Sequence, residues 1–188
     1  MKKTAYIFFG RCQYPHIGHE RVFDAMRDQW MLNHNNSSYF IYLSKTHNKD
    51  NPLSFDKKLD IASRMFPLHK SRLVKEHPGH IIGILKNLDG KFDNVVMFTG
   101  PDRCDSFSEL LKKYNNKEYS FNDISVTSVG YRDSAQEGVV GISGSKMREA
   151  VKNNDYQTFL SGFPESTKDL APTIYNELCI GGYKELQK

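Results

Sequence analysis

Short apolar runs alternate along the chain with segments in which apolar residues recur every three or four positions. The runs rich in β-branched and aromatic residues span positions 5–9, 39–43, 72–74, 94–98 and 123–126. Helical spacing connects Val22, Met26 and Trp30, then Leu59, Ala62 and Met65 or Phe66, then Ile81, Leu85 and Leu88, and finally Phe107, Leu110 and Leu111. This alternation predicts an α/β fold, a Rossmann-like doubly wound parallel sheet with helices on both faces.

Residues that cap helices or form turns mark several of the predicted boundaries. Asn51-Pro-Leu-Ser54 predicts a turn that places Ser54 at the N-cap of the next helix. Asp89 and Gly90 predict the end of a helix. Ser106 and Glu109 predict a capping box at the start of another helix.

The pattern changes after the last predicted strand. Residues 130–144 are rich in glycine and polar side chains, and helical spacing then continues from about Ser145, interrupted at Pro164 and Pro172. A chain of 188 residues is long enough for one domain with a substantial core. We therefore expect a single domain over residues 1–188 with a helical C-terminal section.

Composition narrows the class of partner. The net charge of +4 suits anionic small molecules, but the basic residues are too scattered to predict binding of nucleic acid. The three cysteines form no C-x-x-C pair, which favours a reducing compartment. No apolar segment approaches 18 residues, so we expect a cytoplasmic protein with no membrane span and no signal peptide.

The segment G-R-C-Q-Y-P-H-I-G-H, residues 10–19, joins the first predicted strand to the first predicted helix. In a parallel sheet, ligands bind beyond the carboxyl ends of the strands, and a helix N-terminus there attracts phosphate. Gly10 and Gly18 would let the backbone approach such a ligand closely. His16 and His19 are three residues apart, so at a helix start they can project to one side.

A second candidate segment is I-S-G-S-K-M-R, residues 142–148. Ser143 or Ser145 can cap a helix whose first turn carries Lys146 and Arg148. Hydroxyl groups, free N–H groups and cations at one helix start again favour phosphate. A doubly wound fold brings such junctions to one edge of the sheet.

The two segments together resemble the signatures of the HxGH nucleotidyltransferase superfamily, which includes nicotinamide mononucleotide adenylyltransferases, pantetheine-phosphate adenylyltransferases and CTP-dependent cytidylyltransferases. The family signatures are similar to G-R-F-Q-P-F-H-x-G-H and to I-S-x-[ST]-x-[ILM]-R. Asn51-Pro-Leu-Ser54 resembles the start of the second helix in the archaeal-type nicotinamide mononucleotide enzymes, and Gly100-Pro101-Asp102 resembles the family's G-x-D. Residues 98–164 are similar to phage-encoded nucleotidyltransferases, whose compartment would be the host cytoplasm. The resemblance spans residues 5–164.

This resemblance implies a role for each matching position. His16 and His19 would contact the phosphates of the nucleotide and stabilise a pentacovalent transition state, and Gly18 would leave room for the nucleotide. The leaving pyrophosphate would be bound by Ser143, Ser145 and Arg148, with Lys146 beside them. The nucleotide or its acceptor would also contact Gly10, Arg11, Gly100 and Asp102, the last two near the ribose or base. Mg²⁺ would bridge triphosphate oxygens without a set of protein ligands.

The sequence also departs from the family pattern. Cys12 stands where the family has Phe, and Tyr14-Pro15 replaces the usual Pro-Phe. The cytidylyltransferase signature R-T-E-G-I-S-T-S is absent, which favours ATP over CTP. The implied reaction is transfer of AMP from ATP to a phosphorylated small-molecule acceptor, and nicotinamide mononucleotide, giving NAD, is the preferred acceptor.

Several alternatives stay open at this point. CTP could replace ATP, and the chain could bind a nucleotide without turning it over. The His-x-x-His spacing also suits half of a zinc site, although no third ligand follows at metal spacing. The helices from about Glu165 onward could instead serve assembly, including a homo-oligomer. Asp102 could act only as a cap for the helix that follows it.

Overall fold

The computed structural model describes residues 2–130 and 142–181, which group into two compact units. The first unit comprises Met1–Gly10, Arg21–Ser44 and Arg72–Arg132. The second comprises Arg11–Glu20, Lys45–Ser71 and Asp133–Lys188. Each unit is therefore assembled from segments that lie far apart in sequence.

The first unit contains a parallel sheet of four strands. Their bounds are β1 (Thr4–Gly10), β2 (Ser37–Leu43), β3 (Asn94–Thr99) and β4 (Asp123–Ser128). The order across the sheet is β2-β1-β3-β4, and all three neighbouring pairs are parallel. The strand order reverses at β1, which is the switch point of a doubly wound sheet.

Helices pack on both faces of this sheet. They are α1 (Ile17–Leu32), whose first residues 17–20 belong to the second unit, α3 (Ile81–Leu88) and α4 (Cys104–Tyr114). Along β1 alternate side chains face opposite ways: Ile7 joins the core formed with α3 and α4, whereas Phe8 lies edge-on to Phe23 of α1. The predicted Rossmann-like α/β fold is confirmed.

Two local predictions in the first unit are wrong. Residues 72–74 form no strand, because only Leu73 makes a single parallel bridge, to Ile41 of β2. Ser106 does not begin a helix, because α4 already starts two residues earlier and the Ser106 hydroxyl donates to the carbonyl of Arg103 (3.0 Å). Both predictions rested on only three or four residues. The structure of the surrounding backbone overrode these short patterns.

The second unit is helical. It contains α2 (Phe55–Met65), α5 (Gly144–Lys152), α6 (Tyr156–Ser161) and α7 (Ala171–Gly181), with a 3₁₀ segment at Glu165–Leu170. Ser54 caps α2 by accepting from the amide of Lys57, as predicted. Most of the glycine-rich segment predicted at 130–144 lies outside the described residues, and the helical C-terminal section is confirmed through residue 181.

Candidate functional site

The loop that follows β1 is held by one buried glutamine. The side-chain oxygen of Gln13 accepts from the amide of Leu53 at 2.8 Å, and its Nε2 donates to the carbonyls of Thr46 (3.3 Å) and Leu53 (3.4 Å). Cys12, just before it, has a φ of 40° in the left-handed region that non-glycine residues avoid. Gln13 therefore fixes the loop, here called the histidine loop (residues 11–19), against residues 46–53.

The histidine loop brings its two imidazoles together. The ring centroids of His16 and His19 are 4.0 Å apart. Nδ1 of His16 accepts from the amide of Gly18 (3.1 Å), and Nδ1 of His19 accepts from the amide of His16 (3.2 Å). Because a neutral imidazole that accepts at one nitrogen carries its proton on the other, both rings have Nε2–H as a donor.

Burial keeps both rings neutral. It lowers the pKa of His16 to about 4, and it lowers the pKa of His19 well below the usual range, with the neighbouring His16 adding to the effect. A positive imidazole would lose hydration in this position. Near pH 7 both rings are therefore uncharged, and an anion in contact with either ring would favour its charged form.

The expectation that α1 offers free N–H groups at its start is wrong. The amide of Ile17 donates to the carbonyl of Gly162 at 2.8 Å. The amide of Gly18 donates to the His16 ring, and the amide of His19 donates to the His16 carbonyl. These three amides at the start of α1 are hydrogen-bonded within the protein, and the bond from Gly18 orients the His16 ring.

The glycines of the predicted site make room for protein side chains. A Cβ at Gly18 would lie 2.8 Å from Cε1 of His16, so a side chain there would collide with the His16 ring. In the first unit, a Cβ at Gly10 would lie 2.4 Å from Phe8, and one at Gly100 would lie 2.8 Å from an oxygen of Asp102. The Asp102 side chain is 78% exposed and can move aside, so the crowding is tighter at Gly10 and Gly18 than at Gly100.

The second candidate segment forms the start of α5. Ser143 is the N-cap, and its hydroxyl accepts from the amide of Lys146 at 3.2 Å. The amides of Gly144 and Ser145 donate to no other described residue, and a Cβ at Gly144 would meet nothing within 4 Å. Unlike the start of α1, this helix start makes no such backbone contacts with other described residues, and it carries the positive end of the helix dipole.

Arg148 lies one turn along α5. One guanidinium nitrogen donates to the backbone carbonyl of Asp50 at 2.5 Å, and another donates to the Ser145 hydroxyl at 3.4 Å. Asn48 shapes the turn that presents this carbonyl, because its side-chain oxygen accepts from the amides of Asp50 (3.1 Å) and Asn51 (3.0 Å). Within the described ranges, no carboxylate lies within ion-pair distance of Arg148.

The histidine loop and α5 both contact residues 46–53 and Gly162 of the second unit. Residues 46–53 bind Gln13 of the histidine loop and also Arg148 of α5. Gly162, at the end of α6, accepts from Ile17, and a Cβ on it would lie 2.2 Å from the sulfur of Met147. The fold thus brings together His16, His19, Ser143, Ser145 and Arg148 within one unit.

The remaining predicted residues are either exposed or belong to the first unit. Arg11 and Lys146 are exposed. Gly100 and Asp102 belong to the first unit. Asp102 does not cap α4, since Arg103 occupies the N-cap position there, and its side chain is 78% exposed with the Arg103 Nε 3.8 Å away.

Comparison with known proteins does not identify a family for this chain. No protein-family model matches the chain, and no curated protein matches it at a significant level.

The described residues contain neither a metal-ligand cluster nor a membrane-spanning helix. Within residues 2–130 and 142–181, no three His, Cys, Asp or Glu side chains lie close enough to hold a metal ion. In the same part of the chain, no helix combines the length and the apolar character needed to cross a bilayer.

Sequence reasoning missed two residues that organise the site. Gln13 lies inside the first motif, but nothing in its neighbourhood indicated hydrogen bonds to residues 33 and 40 positions away. The sequence places Leu59 on the buried face of α2. In the structure that face instead comprises Lys58, Ile61, Ala62 and Met65. A lysine in an otherwise apolar i, i+3, i+4, i+7 stripe was the available signal.

Proposed function

We propose that this protein is a nucleotidyltransferase, which transfers a nucleotidyl group from a nucleoside triphosphate to a phosphorylated acceptor. The observation that carries the proposal is the histidine pair: two touching imidazoles, each with Nδ1 occupied by a backbone amide and Nε2–H as donor. The start of α5, with Ser145 and Arg148, lies in the same unit. Donors and positive charge without a protein nucleophile suit in-line attack at phosphorus.

In the proposed reaction an oxygen of the acceptor phosphate attacks the α-phosphorus of the triphosphate. The new O–Pα bond forms while the bond from Pα to the bridging oxygen breaks, and pyrophosphate leaves with that electron pair. Mg²⁺ bound to the triphosphate would neutralise charge on its oxygens. No proton needs to be removed from the acceptor phosphate, so the chemistry requires no general base.

The histidines stabilise the charge that builds on the oxygens at Pα. Their Nε2–H groups donate to these oxygens, and their Nδ1 atoms stay fixed by the amides of Gly18 and His16. Because burial disfavours a positive ring, full charge on either imidazole is stable only when the anion is present. The charged imidazoles therefore stabilise the phosphate-bound state and not the empty site.

The start of α5 binds the departing phosphates. The amides of Gly144 and Ser145 and the Ser145 hydroxyl can donate to them. Arg148 donates to Asp50 and Ser145 in this structure, and one of these contacts gives way when a phosphate offers a stronger acceptor. The absent R-T-E-G-I-S-T-S signature favours ATP over CTP, and nicotinamide mononucleotide is the first acceptor to test.

The test is pyrophosphate release by the purified chain. Labelled ATP and CTP are each combined with Mg²⁺ and with nicotinamide mononucleotide, phosphopantetheine and other phosphorylated acceptors. We expect release with ATP and one acceptor, and a loss of about 10²- to 10³-fold in kcat for His16→Ala or His19→Ala. Arg148→Ala should also lower the rate of release.

The matched control is His34→Ala, which removes an exposed histidine from the first unit. Its rate should equal that of the wild type. Absence of pyrophosphate release with every nucleotide and acceptor pair would overturn the enzymatic proposal. Calorimetry on the same samples separates a chain that binds ATP silently from one that does not bind it.

A further inference from the structure

Lys58 of α2 is buried completely, with 0% of its surface exposed. Among the described residues, no other lysine, arginine or carboxylate side chain is buried. Burying an ammonium group is strongly unfavourable unless hydrogen-bond partners compensate for the lost hydration. A methionine or leucine at this place in the apolar stripe of α2 would avoid that cost.

The contacts of Lys58 lead to the histidine loop. Its Nζ donates to the carbonyl of Thr46 at 3.2 Å, and the same carbonyl accepts from Nε2 of Gln13 at 3.3 Å. Thr46 thus joins α2 to the residue that fixes the loop. The ammonium also lies within electrostatic reach of the buried thiol of Cys12, the residue with φ of 40°.

The strained loop explains why such an anchor is useful. Left-handed backbone at Cys12 is unfavourable for a residue with a side chain. Gln13, the next residue, donates to the Thr46 carbonyl, and Lys58 donates to the same carbonyl, so both bonds hold the chain just after the strained residue. Four residues later the same loop sets the ring of His16.

We propose that Lys58 is a positioning residue for the histidine pair, acting through the Thr46 carbonyl and Gln13. It touches neither substrate nor the reacting atoms. This inference rests on the proposed nucleotidyltransferase activity for its kinetic consequence, but its structural consequence is independent of that activity.

The first measurement needs no substrate. Imidazole ¹H–¹⁵N spectra of the full chain should show His16 and His19 as single Nε2–H tautomers. In Lys58→Met the two signals should shift toward a mixture of tautomers, because the loop is no longer held in one conformation. Lys57→Met is the matched control: Lys57 is the preceding residue of α2, but it pairs with Glu177, so its removal should leave both signals unchanged.

The second measurement is kinetic. Lys58→Met should lower kcat for pyrophosphate release about 10- to 100-fold with little change in KM, and Lys58→Arg should recover part of the rate. Lys58→Met should also unfold at the same or a higher urea concentration, since it removes a buried charge. A residue with only a structural role would instead lose stability and keep its rate.

A double-mutant cycle of Lys58→Met with Gln13→Leu tests whether Lys58 acts through the Thr46 carbonyl and Gln13. If both side chains act through Thr46, the combined loss in kcat is smaller than the product of the single losses. Wild-type tautomers and wild-type kcat in a folded Lys58→Met would overturn the proposal. If Lys58→Met does not fold, the same spectra are recorded for Gln13→Leu. Unchanged imidazole signals in that variant would overturn the proposal. If the wild type releases no pyrophosphate, the proposed function is wrong. The spectra still test whether Lys58 positions the two histidines.

Discussion

At the residue scale, His16 and His19 owe their properties to what surrounds them. Each ring is oriented by a backbone amide at Nδ1, and each is kept neutral by burial. Gly18 is required because any side chain there would collide with the His16 ring. The pair is therefore pre-organised as donors before any ligand arrives, which is how preformed dipoles stabilise developing charge.

The depressed pKa of His16 has a consequence for stability. Between pH 6.5, its ordinary value, and about 4, the unfolded chain holds a proton that the folded chain rejects. The free energy of unfolding should therefore fall as the pH drops through this window, by up to about 3 kcal/mol for His16. Urea unfolding of the wild type and of His16→Gln at several pH values measures this, and the variant should show a shallower slope.

His34→Gln serves as the control for this measurement, because that histidine is exposed. It should keep the wild-type slope. Equal slopes in the wild type and in His16→Gln would contradict the assignment of a depressed pKa to His16.

The sequence identified the histidines and Arg148 but not their orientation. Spacing within a ten-residue motif is a local property, so His16 and His19 could be placed on one side of a helix start. The Nδ1 contacts depend on the loop conformation, and the use of the α1 amides depends on Gly162, more than 140 positions away. Periodicity carries no information about such distant acceptors.

At the element scale, α7 is tied to α2 by one carboxylate. Glu177 accepts from Arg64 through both of its oxygens (2.9 and 2.8 Å) and pairs with Lys57 at 2.5 Å. Hydrogen bonds from these two side chains lower the pKa of Glu177 to about 2. A paired Arg and carboxylate of this geometry is stronger than a single surface ion pair.

Glu177→Gln should lower the free energy of unfolding at pH 7 by about 1 kcal/mol, since the groups are partly exposed. Because the folded pKa lies below the ordinary value of 4.5, the contribution of Glu177 is present above pH 4.5. It is lost as the pH falls toward about 2, where wild type and variant should converge. Chemical denaturation across this range measures the difference.

The comparison variant is Glu165→Gln, which removes an ion pair between Glu165 and Lys168 in which the glutamate is 86% exposed. It should change stability by less than Glu177→Gln. An equal or larger effect would mean that the Glu177 network adds nothing beyond an ordinary surface pair.

Two glycines of the helical unit offer a matched test of packing. Gly162→Ala places a Cβ 2.2 Å from the sulfur of Met147, although its φ of −84° suits alanine. We expect a loss of about 1–3 kcal/mol in unfolding free energy, and the same substitution should cost less when Met147 is also replaced by alanine. Gly144→Ala, with nothing within 4 Å, should be neutral or slightly stabilising. Similar losses for both alanines would refute the packing argument.

The elements themselves were largely predictable, with instructive exceptions. Four of the five predicted strands are present, because each has enough apolar residues to bury a face of the sheet. The fifth, at 72–74, pairs through Leu73 alone, as the chain turns out of the preceding 3₁₀ segment Pro67–Arg72. The start of α4 was misplaced because Ser106 has the right side chain for a cap but lies inside the helix.

At the scale of the whole molecule, the chain crosses repeatedly between its two units. All residues that we assign to triphosphate binding belong to the helical unit, although its pieces come from three separate stretches of sequence. Ligand that joins the histidine loop to α5 should therefore stabilise the folded chain by linkage.

A non-hydrolysable ATP analogue with Mg²⁺, at about 100 times its Kd, should stabilise the chain by about 2.7 kcal/mol. For a chain of this size that corresponds to a rise of roughly 5–10 °C in Tm. Differential scanning fluorimetry measures the shift, and Arg148→Ala should abolish most of it at the same ligand concentration. Glu165→Gln should shift like the wild type, and a full shift in Arg148→Ala would exclude that residue from the site.

The sequence by itself determined the α/β class, four of the five predicted strands and the two motifs. These features follow from periodicity and from short-range spacing, which any single segment displays. Tertiary structure decided where the amides of α1 donate, which side chains crowd the glycines, and that Lys58 is buried with its ammonium on the Thr46 carbonyl. Those outcomes depend on contacts between residues tens to more than a hundred positions apart, where hydrogen bonding and burial are properties of the packed chain and not of a segment.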